Sequence, residues 1–512
     1  NDCMKSCIYQ KQEPVDIPSV ESRVLYDVLL LPWGFEIYSL LTRWNPLNFK
    51  TPLPLPISEY KTLVVGLGPS GFTLSHYLLN QGVNVVAIDG LKIEPIDSSI
   101  SGIDQHGNRC KFNPILDIKT IFEPLSERNA QGFGGVAEYG ITIRWDKNYL
   151  KIIRLLLERR KNFRMYGGIR FGSNISTKDA FNIGFDHIAL AMGAGRPNLP
   201  KIPNILANGV RTASDFLMTL QLSGANKYDS ITNLTLNLPV VVIGGGLTAI
   251  DTATESIAYY IFQVEKLLRR YEELGDDMMT NLSLQEREMI NTQLEHALQL
   301  RSTDAKIDLI RKWGGVKVVY RRSLKDSPSY RLNHEEVAKA MEEGVEFIEN
   351  IVPESISVDE FGNCIGVKHQ NGFISAKSIF VAIGTSPNTV ISKEENGYEL
   401  EGNYFKLMNI SGDVVTPEKQ SKNINASVLH NVSHGNGISF FGDLHPSYSG
   451  NVVKAMASAK NGYPQIIELL DKAQAKCSNK GFFEKLDNEL LSFVDSVNIL
   501  TANIVEIVIR SP

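Results

Sequence analysis

The sequence is short of cysteine, of long apolar runs and of charge of one sign. Only 5 of its 512 residues are cysteine, too few for a disulfide framework. This usage is typical of a reducing compartment, and we expect a cytoplasmic protein. One early apolar run covers Val24 to Leu41. Because Asp27, Pro32 and Glu36 interrupt that run, it does not predict a membrane span.

The charge balance excludes one class of partner, and the composition indicates a general class of protein. A net charge of −5 offers no electrostatic basis for binding nucleic acid. A hydrophobic content of 43% and a charged content of 21% are those of a soluble globular protein. The length predicts two to four domains with large cores.

The clearest motif is a glycine turn between two apolar strands, in the stretch Tyr60 to Asp89. The turn is Gly66-x-Gly68-x-x-Gly71, and it directly follows a predicted strand and opens a predicted helix. This context is typical of dinucleotide binding, because the glycines permit a tight turn and close approach of the pyrophosphate. The helix N-terminus supplies free N–H groups to the phosphates. Asp89 ends the second strand, where a carboxylate can accept the ribose hydroxyls.

A second strand, turn and helix begins at Leu238. Its turn is Gly244-x-Gly246-x-x-Ala249, again directly after an apolar strand. Two such units are far more specific than one, and they predict either two dinucleotides or a dinucleotide cofactor with a dinucleotide substrate.

The next strand of the second unit, Val316 to Tyr320, ends in Arg321-Arg322. An acid there would accept ribose hydroxyls and repel a 2′-phosphate, whereas two guanidiniums would pair with that phosphate. The sequence therefore favours NADP over NAD.

The segment before that strand, roughly residues 260–313, is charged and predicts an inserted helical hairpin with a capping box at Ser283 and Glu286. We expect either a partner-docking arm or a solvated insertion.

The order of seven motifs resembles one family along residues 60–465. The motifs are VVGLGPSG with Asp89, GGVAEYGI, ALAMGAG, VVIGGGLTAID, VVYRRS with Pro328, VAIGTSPN, and FFGD with a glycine-led helix. In this order they resemble the NADPH-dependent, FAD-containing small subunit of glutamate synthase and its relatives. One departure is Leu247, where the family usually has Asn.

The resemblance implies an α/β fold with two Rossmann-like domains, the second inserted in the first. We expect a helical segment with remnant cysteines over residues 1–58 and an FAD domain over 59–203 and 387–470. We expect an NADPH domain over 204–386 and a helical tail over 471–512.

The resemblance also implies the cofactor-binding residues. Asp443 would bind the ribityl chain of FAD, and the helix after Gly450 would direct its N-terminus at the flavin. Gly66, Gly68, Gly71 and Asp89 would hold the ADP half of FAD. Other cofactor-binding residues would be Pro69, Ser70, Gly134, Gly135, Tyr139, Gly193, Ala194, Gly195, Gly384, Gly442, Gly450 and Val452. The NADPH pocket would use Gly244, Gly245, Gly246, Thr248, Ala249, Asp251, Arg321 and Arg322. His445 would either approach the flavin or be held by loop hydrogen bonds.

Relatives in the family carry iron–sulfur clusters on N-terminal cysteines. Here Cys3 and Cys7 resemble the end of such a motif, and a closed cluster needs about four thiolates. Further ligands, as for a 4Fe-4S cluster, would have to lie upstream in a longer protein, or else the pair is vestigial. Cys110, Cys364 and Cys477 are isolated, which disfavours a redox dithiol.

The resemblance implies that the chain passes hydride from NADPH to FAD and on to an iron–sulfur or flavin acceptor, with no catalytic side chain. Two alternatives remain open. One is a stand-alone NADPH oxidoreductase that acts on ferredoxin, a quinone or another small acceptor. The other is a non-catalytic, redox-sensing scaffold. We expect no membrane partner and leave the oligomeric state open.

Overall fold

A computed structural model describes residues 6–47, 49–124, 126–128, 130–134, 138, 146–417, 426–433, 436–502 and 504–510. In chain order, its helices are α1 Ile17–Leu29, α2 Gly34–Arg43, α3 Pro69–Asn80, α4 Ser98–Ser101, α5 Asn148–Glu158, α6 Thr177–Ile183, α7 Ala213–Leu222, α8 Leu247–Leu274, α9 Leu284–Arg301, α10 Lys306–Lys312, α11 Pro328–Glu342, α12 Ile391–Glu394, α13 Val452–Asp471 and α14 Phe482–Leu490. Short 3₁₀ turns cover Ile118–Ile121, Gly275–Met279, Leu324–Asp326 and Gly442–Leu444.

The strands are β1 Lys61–Val65, β2 Asn84–Asp89, β3 Phe163–Gly167, β4 His187–Leu190, β5 Arg196–Pro197, β6 Val210–Thr212, β7 Val240–Ile243, β8 Val316–Val319, β9 Val345–Ile348, β10 Pro353–Val358, β11 Cys364–His369, β12 Gly372–Ser375, β13 Ser378–Val381, β14 Thr385–Ser386, β15 Leu400–Glu401, β16 Tyr404–Phe405, β17 Leu407–Met408, β18 Val414–Val415, β19 Leu429–Ser433, β20 Asn436–Phe440, β21 Phe493–Thr501 and β22 Ile504–Arg510.

The first large sheet has the order β18-β17-β19-β20-β4-β1-β2-β3. Strands β20, β4, β1, β2 and β3 are parallel, and β19, β17 and β18 extend the sheet in antiparallel pairs. All five residues of β1 are buried, as expected for a parallel strand covered on both faces. Val64 packs in the core on the side of α3 and α13, and Leu63 packs in a separate core on the opposite side.

The second large sheet, β6-β13-β7-β8-β9, is parallel throughout. Its strands lie between residues 210 and 381, whereas strands of the first sheet lie both before and after that range. One face packs on α7, α8 and α11, and the other packs on the three-stranded antiparallel sheet β10-β11-β12. The predicted fold class, an α/β fold with the second unit inserted in the first, is confirmed. The exact domain boundaries stay predictions.

The chain crosses between the two sheets twice, and the two crossings are paired. Strands β5 and β14 form a two-stranded antiparallel ribbon. Further backbone hydrogen bonds run from Asn198 N–H to the carbonyl oxygen of Gly384 and from Asn388 N–H to that of Gly193, over 3.0 and 2.9 Å.

The predicted helical insertion is present, with one difference in its first arm. Helix α8 continues without a break from the second glycine turn to Leu274, so the arm is an extension of the dinucleotide helix. The capping box is confirmed: the Ser283 hydroxyl accepts from Glu286 N–H, and the Glu286 carboxylate accepts from Ser283 N–H. Leu294 and Leu300 of α9 are buried in the same core as α8.

The prediction of a helical tail over residues 471–512 is wrong. Helix α14 occupies only part of it, and β21 and β22 then form an antiparallel hairpin. This stretch is rich in β-branched residues, including Ile504-Val505 and Ile507-Val508-Ile509, and that composition favours strands over a helix.

The N-terminal segment is helical over α1 and α2, as predicted. Among the described residues, no helix is long and apolar enough by itself to cross a membrane. Helices α1 and α2 meet that test only as a pair, and they are bent by 119° at their junction.

Candidate functional site

The first candidate site lies at the carboxyl ends of four adjacent strands, β2, β1, β4 and β20. Asp89 ends β2, the first glycine turn follows β1, and Met192 and Gly193 follow β4. One residue, Phe441, separates the end of β20 from Gly442 and Asp443. Because the carboxyl ends of parallel strands share one edge, residues that are hundreds of positions apart meet there.

Two of the three glycines in the first turn are required by close backbone approach. Gly66 has a φ of +99°, and a Cβ there would lie 2.5 Å from the carbonyl oxygen of Ala191. A Cβ on Gly71 would lie 2.0 Å from the carbonyl oxygen of Gly66. Gly68 is different, because a Cβ there would meet only Gly134 O, at 3.9 Å. The open face at Gly68 is therefore where a pyrophosphate can approach the backbone.

Pro69 follows as the first residue of α3, where its missing N–H costs nothing. The N-terminus of α3 thus faces the same open space, with a partial positive charge suited to phosphate.

The carboxylate of Asp89 holds the glycine turn in place. Its Oδ2 accepts from Leu67 N–H and its Oδ1 accepts from Leu91 N–H, each over 2.9 Å. Burial raises the pKa of Asp89 above its usual value, and these two hydrogen bonds oppose that shift. Each carboxylate oxygen keeps a second lone pair, so the predicted contact with ribose hydroxyls is still available.

Gly134, the first residue of the GGVAEYGI motif, contacts the first turn. Gly134 N–H donates to the carbonyl oxygen of Leu67 over 3.0 Å, and a Cβ on Gly134 would lie 3.4 Å from the backbone nitrogen of Gly68. Phe133 stacks on Phe72 of α3 with 3.7 Å between ring centroids. Gly135 and Tyr139 lie outside the described residues.

Helix α13 brings the last motif to the first turn. The Ser70 hydroxyl donates to the carbonyl oxygen of Ala455 over 2.8 Å, and Gly442 N–H donates to the hydroxyl of Ser458 over 2.8 Å. Ser458 is fully buried and was missed by sequence reasoning, since no motif residue marks it. These contacts place the N-terminal turns of α3 and α13 side by side.

Asp443 and the start of α13 form a short capped loop. The Asp443 carboxylate accepts from Gly450 N–H over 2.9 Å, and Asn451 caps α13 by accepting from Lys454 N–H. Val452 is exposed at the first position of that helix. The predicted role of Asp443 toward the ribityl chain stays a prediction.

His445 is held by loop hydrogen bonds. Its Nδ1 accepts from Ser447 N–H over 3.1 Å, so its Nε2–H donates to the carbonyl oxygen of Ser427 over 2.8 Å. Burial lowers the pKa of this imidazole to about 4. These bonds favour the second of the two expectations for this residue.

The second candidate site lies at the carboxyl ends of β13, β7 and β8, which are neighbours in the second sheet. A Cβ on Gly244 would lie 2.2 Å from the carbonyl oxygen of Ala382, and one on Gly245 would lie 2.4 Å from the ring of Tyr320. A Cβ on Gly246 would meet nothing within 4 Å. The middle position of this turn is therefore open, as it is in the first.

The predicted arginine pair stands beside this turn. Arg321 and Arg322 follow β8 and are both exposed. Within the part of the chain that the structure describes, neither guanidinium is within ion-pair distance of a carboxylate. They can meet an incoming anion without first breaking an internal ion pair.

Residues of α8 that were assigned to the NADPH pocket divide into two groups. Gly246 caps the helix and Thr248 is partly exposed in its first turn, at the open end of the site. Ala249 is fully buried in the core, and Asp251 is 4% exposed. Asp251 therefore faces the protein interior rather than solvent.

A buried charged cluster, which sequence reasoning missed, lies where the segment before Gly134 meets the second unit. The Arg128 guanidinium donates to Glu138 over 2.5 Å and to the side-chain oxygen of Gln221 over 2.8 Å. The other Glu138 oxygen accepts from Gln131 N–H and Phe133 N–H, over 3.1 and 3.3 Å. The charged side chains of this cluster, none more than 5% exposed, are Arg128, Glu138, Lys147, Asp251 and Glu255.

The charged groups of that cluster shift the pKa of Lys147. Burial, followed by the charge of Arg128, lowers the pKa of Lys147 to about 8, and Glu138, Glu255 and Asp251 oppose the shift. The cluster joins the segment before Gly134 to helices α7 and α8 of the second unit. No local sequence motif marks the cluster, because its members are scattered from residue 128 to residue 255.

The remaining predicted residues lie on the chain crossings. Gly193 has a φ of +65° and Gly384 a φ of +98°, and both accept the crossing hydrogen bonds described above. A Cβ at Gly193 or Gly195 would meet nothing within 4 Å, and Ala194 is partly exposed. These residues therefore border open space at the edge of the first sheet.

The described cysteines, Cys7, Cys110, Cys364 and Cys477, are all free thiols. Cys3 lies outside the described residues, and Cys7 is partly buried. Within the described residues there is no group of three or more His, Cys, Asp or Glu side chains suited to a metal ion.

Comparison with known proteins agrees with this arrangement. Residues 60–409 match the family model described as pyridine nucleotide-disulphide oxidoreductase. The chain is 42% identical over 518 residues to the uncharacterized protein RP006 of Rickettsia prowazekii, and the match covers 100% of this chain and 69% of that protein.

Two solved structures are similar at low identity. One is FprA of Mycobacterium tuberculosis in complex with NADPH, at 13% identity and a TM-score of 0.45, over 84% of this chain and 89% of that one. The other is thioredoxin reductase of T. acidophilum, at 13% identity and a TM-score of 0.44, over 81% of this chain and 99% of that one. These two likenesses carry no argument on function.

Proposed function

The chain belongs to the pyridine nucleotide-disulphide oxidoreductase family, and from that premise we propose that it passes hydride from NADPH to bound FAD. The electrons then leave for an iron–sulfur or flavin acceptor, as in the small subunit of glutamate synthase. The observation that carries the proposal is the pair of open glycine turns, at Gly68 and Gly246, each at the carboxyl edge of its own parallel sheet.

The residues at the first turn fit the ADP half of FAD. Gly68 leaves the space that a Cβ would fill, α3 directs its N-terminus into that space, and Asp89 retains free lone pairs beside it. The loop of Gly442 and Asp443 returns to the same place and would meet the middle of an extended FAD. Bound FAD would accept two electrons as hydride and release them to an acceptor.

The residues at the second turn fit a phosphorylated dinucleotide. Gly246 leaves the corresponding space, and Arg321 and Arg322 offer two exposed guanidiniums at the end of the neighbouring strand. Such groups pair with a 2′-phosphate through charge-assisted hydrogen bonds, so we assign NADPH rather than NADH.

Hydride transfer between two such rings needs no side chain to act as acid or base. The work of this chain would be to bind both dinucleotides, orient them and exclude water. The buried cluster around Arg128 and Glu138 would contribute by holding the second unit against the first. The described cysteines include no redox dithiol pair, so we propose no disulfide step.

The test is an anaerobic titration of the purified protein. NADPH should bleach the yellow flavin bands at far lower concentration than NADH does, and denaturation should release FAD that chromatography identifies. A colourless protein would overturn the FAD assignment and favour a non-catalytic scaffold. A preference for NADH would overturn the assignment of the arginines.

The acceptor needs a second measurement. The reduced protein is mixed with a ferredoxin, with a quinone or with a flavoprotein, and reoxidation is followed under anaerobic conditions. Fast reoxidation by the quinone alone would favour a stand-alone oxidoreductase acting on a small acceptor. Fast reoxidation by the flavoprotein supports the electron-input role, whereas a ferredoxin would serve as acceptor in either role.

A further inference from the structure

The hairpin of β21 and β22 is amphipathic, and its apolar face is exposed. Val494 pairs with Ile509, Val497 with Ile507, and Ile499 with Val505. Directly opposite residues share a face, and residues two apart on a strand share it too. All six of these side chains therefore lie on one face, and each is between 52% and 77% exposed.

The opposite face of the hairpin is mixed, because Val508 and Ile504 lie there, 39% and 55% exposed, beside polar residues. Ser496, Asn498 and Glu506 lie there, and the Asn498 amide donates to the Glu506 carboxylate over 2.9 Å. Arg510 pairs with Asp495 over 2.8 Å. The face with the three Val–Ile pairs is the more apolar of the two, and it is therefore the face expected to be buried against another layer.

Within the part of the chain that the structure describes, the hairpin pairs with no third strand. An isolated two-stranded sheet is marginal in water and needs a further layer on its apolar face. A patch of this kind marks an interaction surface rather than ordinary surface.

We propose that this face is the contact between two copies of the chain, packed sheet against sheet about a twofold axis. Each cross-strand pair of the face consists of one Val and one Ile, so the face has uniform width and nearly constant side-chain volume. A second copy turned by 180° presents the same surface, which is what an isologous contact requires. The two layers pack with their strands nearly aligned.

The exposed area fits this occupant. Six aliphatic residues at these exposures offer roughly 600 Å² per copy, and two copies bury about 1,200 Å², the lower end of stable interfaces. The low end of the interface size range includes weak and transient contacts, so this dimer should dissociate on dilution.

The composition disfavours a lipid surface. Residues 493–510 contain no Lys, Trp or Tyr, and their charges are Asp495, Glu506 and Arg510, a net charge of −1. Elements that lie on membranes carry Lys and Arg on the polar face and often place Trp or Tyr at the interface.

The inference is independent of the proposed redox function, and it is tested on the full chain by analytical ultracentrifugation over a range of concentrations. The wild type should be a dimer that dissociates on dilution. Ile499→Asp should raise the dissociation constant at least 100-fold, because it places two carboxylates in each apolar contact. Ser496→Asp is the matched control, on the opposite face of the same strand, and should leave the constant within about threefold.

Two further measurements keep the result decisive. Hydrogen exchange of the hairpin amides in Ile499→Asp should remain measurably slower than in an unfolded peptide, which separates lost contact from lost folding. A monomer at every concentration up to about 100 μM would overturn the proposal. So would equal weakening by both variants, or co-sedimentation of a monomer with phosphatidylcholine and phosphatidylserine vesicles.

Discussion

Arg128 donates a hydrogen bond to the side-chain oxygen of Gln221 over 2.8 Å. Arg128 belongs to the segment that precedes Gly134 at the first site, and Gln221 lies on α7, which packs against the second sheet. Both side chains are almost fully buried. This buried polar contact therefore links the segment beside the first candidate site to the second unit.

The first prediction concerns the ion pair of that cluster. Arg128→Met leaves the Glu138 carboxylate buried without its guanidinium, so the free energy of unfolding should fall by about 3–5 kcal/mol relative to the wild type. Glu138→Met should lower the free energy of unfolding by a similar amount. The double variant should lose clearly less than the sum, because it leaves no uncompensated charge of this pair.

Urea unfolding measures all three variants. Arg211→Met is the control, because the Arg211–Asp215 pair is largely exposed. This variant should lower the free energy of unfolding by less than about 1 kcal/mol. Single losses that simply add in the double variant would show that the two side chains are not coupled.

The second prediction separates the two sites. Gly68 and Gly246 both have extended backbone conformations with negative φ, and a Cβ at either position meets no close atom. Alanine should therefore be tolerated by the fold while it blocks the approach of a pyrophosphate. Gly68→Ala should lose FAD on purification. Gly246→Ala should keep FAD but raise the KM for NADPH on the order of tenfold to a hundredfold.

Each glycine variant serves as the control for the other. FAD content is read from the absorbance of the purified protein, and reduction by dithionite should be unchanged in Gly246→Ala. Loss of FAD in both variants, with unchanged unfolding transitions, would contradict the assignment of separate sites.

The third prediction concerns the arginine pair. The double variant Arg321→Gln with Arg322→Gln should raise the KM for NADPH about tenfold and leave that for NADH unchanged, because only NADPH carries the 2′-phosphate. Arg287→Gln, an exposed arginine on α9, is the control. The wild-type KM for NADPH should also rise with ionic strength, since exposed charges are screened. An equal change for both nucleotides would contradict the assignment.

The fourth prediction follows from His445. Because Ser447 N–H already points at Nδ1, a second proton on the ring has no acceptor there. The pKa of about 4 in the folded chain lies below the usual 6.5, so between these values the unfolded chain binds more protons and stability falls as the pH falls. This one group accounts for about 3 kcal/mol across that window.

His445→Gln tests this, since an amide can donate and accept but does not titrate. Between pH 7 and pH 4, the free energy of unfolding should decline less steeply in the variant. The difference in slope should correspond to at most one bound proton. Parallel curves would show that this imidazole does not contribute to acid sensitivity.

Much of the fold followed from local sequence, because its strongest features are local. The glycine turns directly follow buried strands such as Val240–Ile243, so strand, turn and helix can be read within about thirty residues. Ser283 and Glu286 likewise form their capping box over three residues.

What could not be predicted depends on contacts distant in sequence. Ser458 meets Gly442 only after α13 has folded back on the first sheet, and Arg128 meets Gln221 only across two units. The wrong prediction for the tail has a different cause. Only its charged start is helical, as α14, whereas Phe493–Arg510 is rich in β-branched residues, which favour strands.

The paired crossings β5 and β14 have a mechanical consequence. Two covalent connections that are hydrogen-bonded to each other cannot shift independently, so the two units share one double-stranded hinge. Such a hinge resists sliding and separation of the two units. The motions that remain easy are bending and twisting of one unit relative to the other about the ribbon. Any opening that admits one dinucleotide while the other stays bound would have to be a rotation about Arg196–Pro197 and Thr385–Ser386.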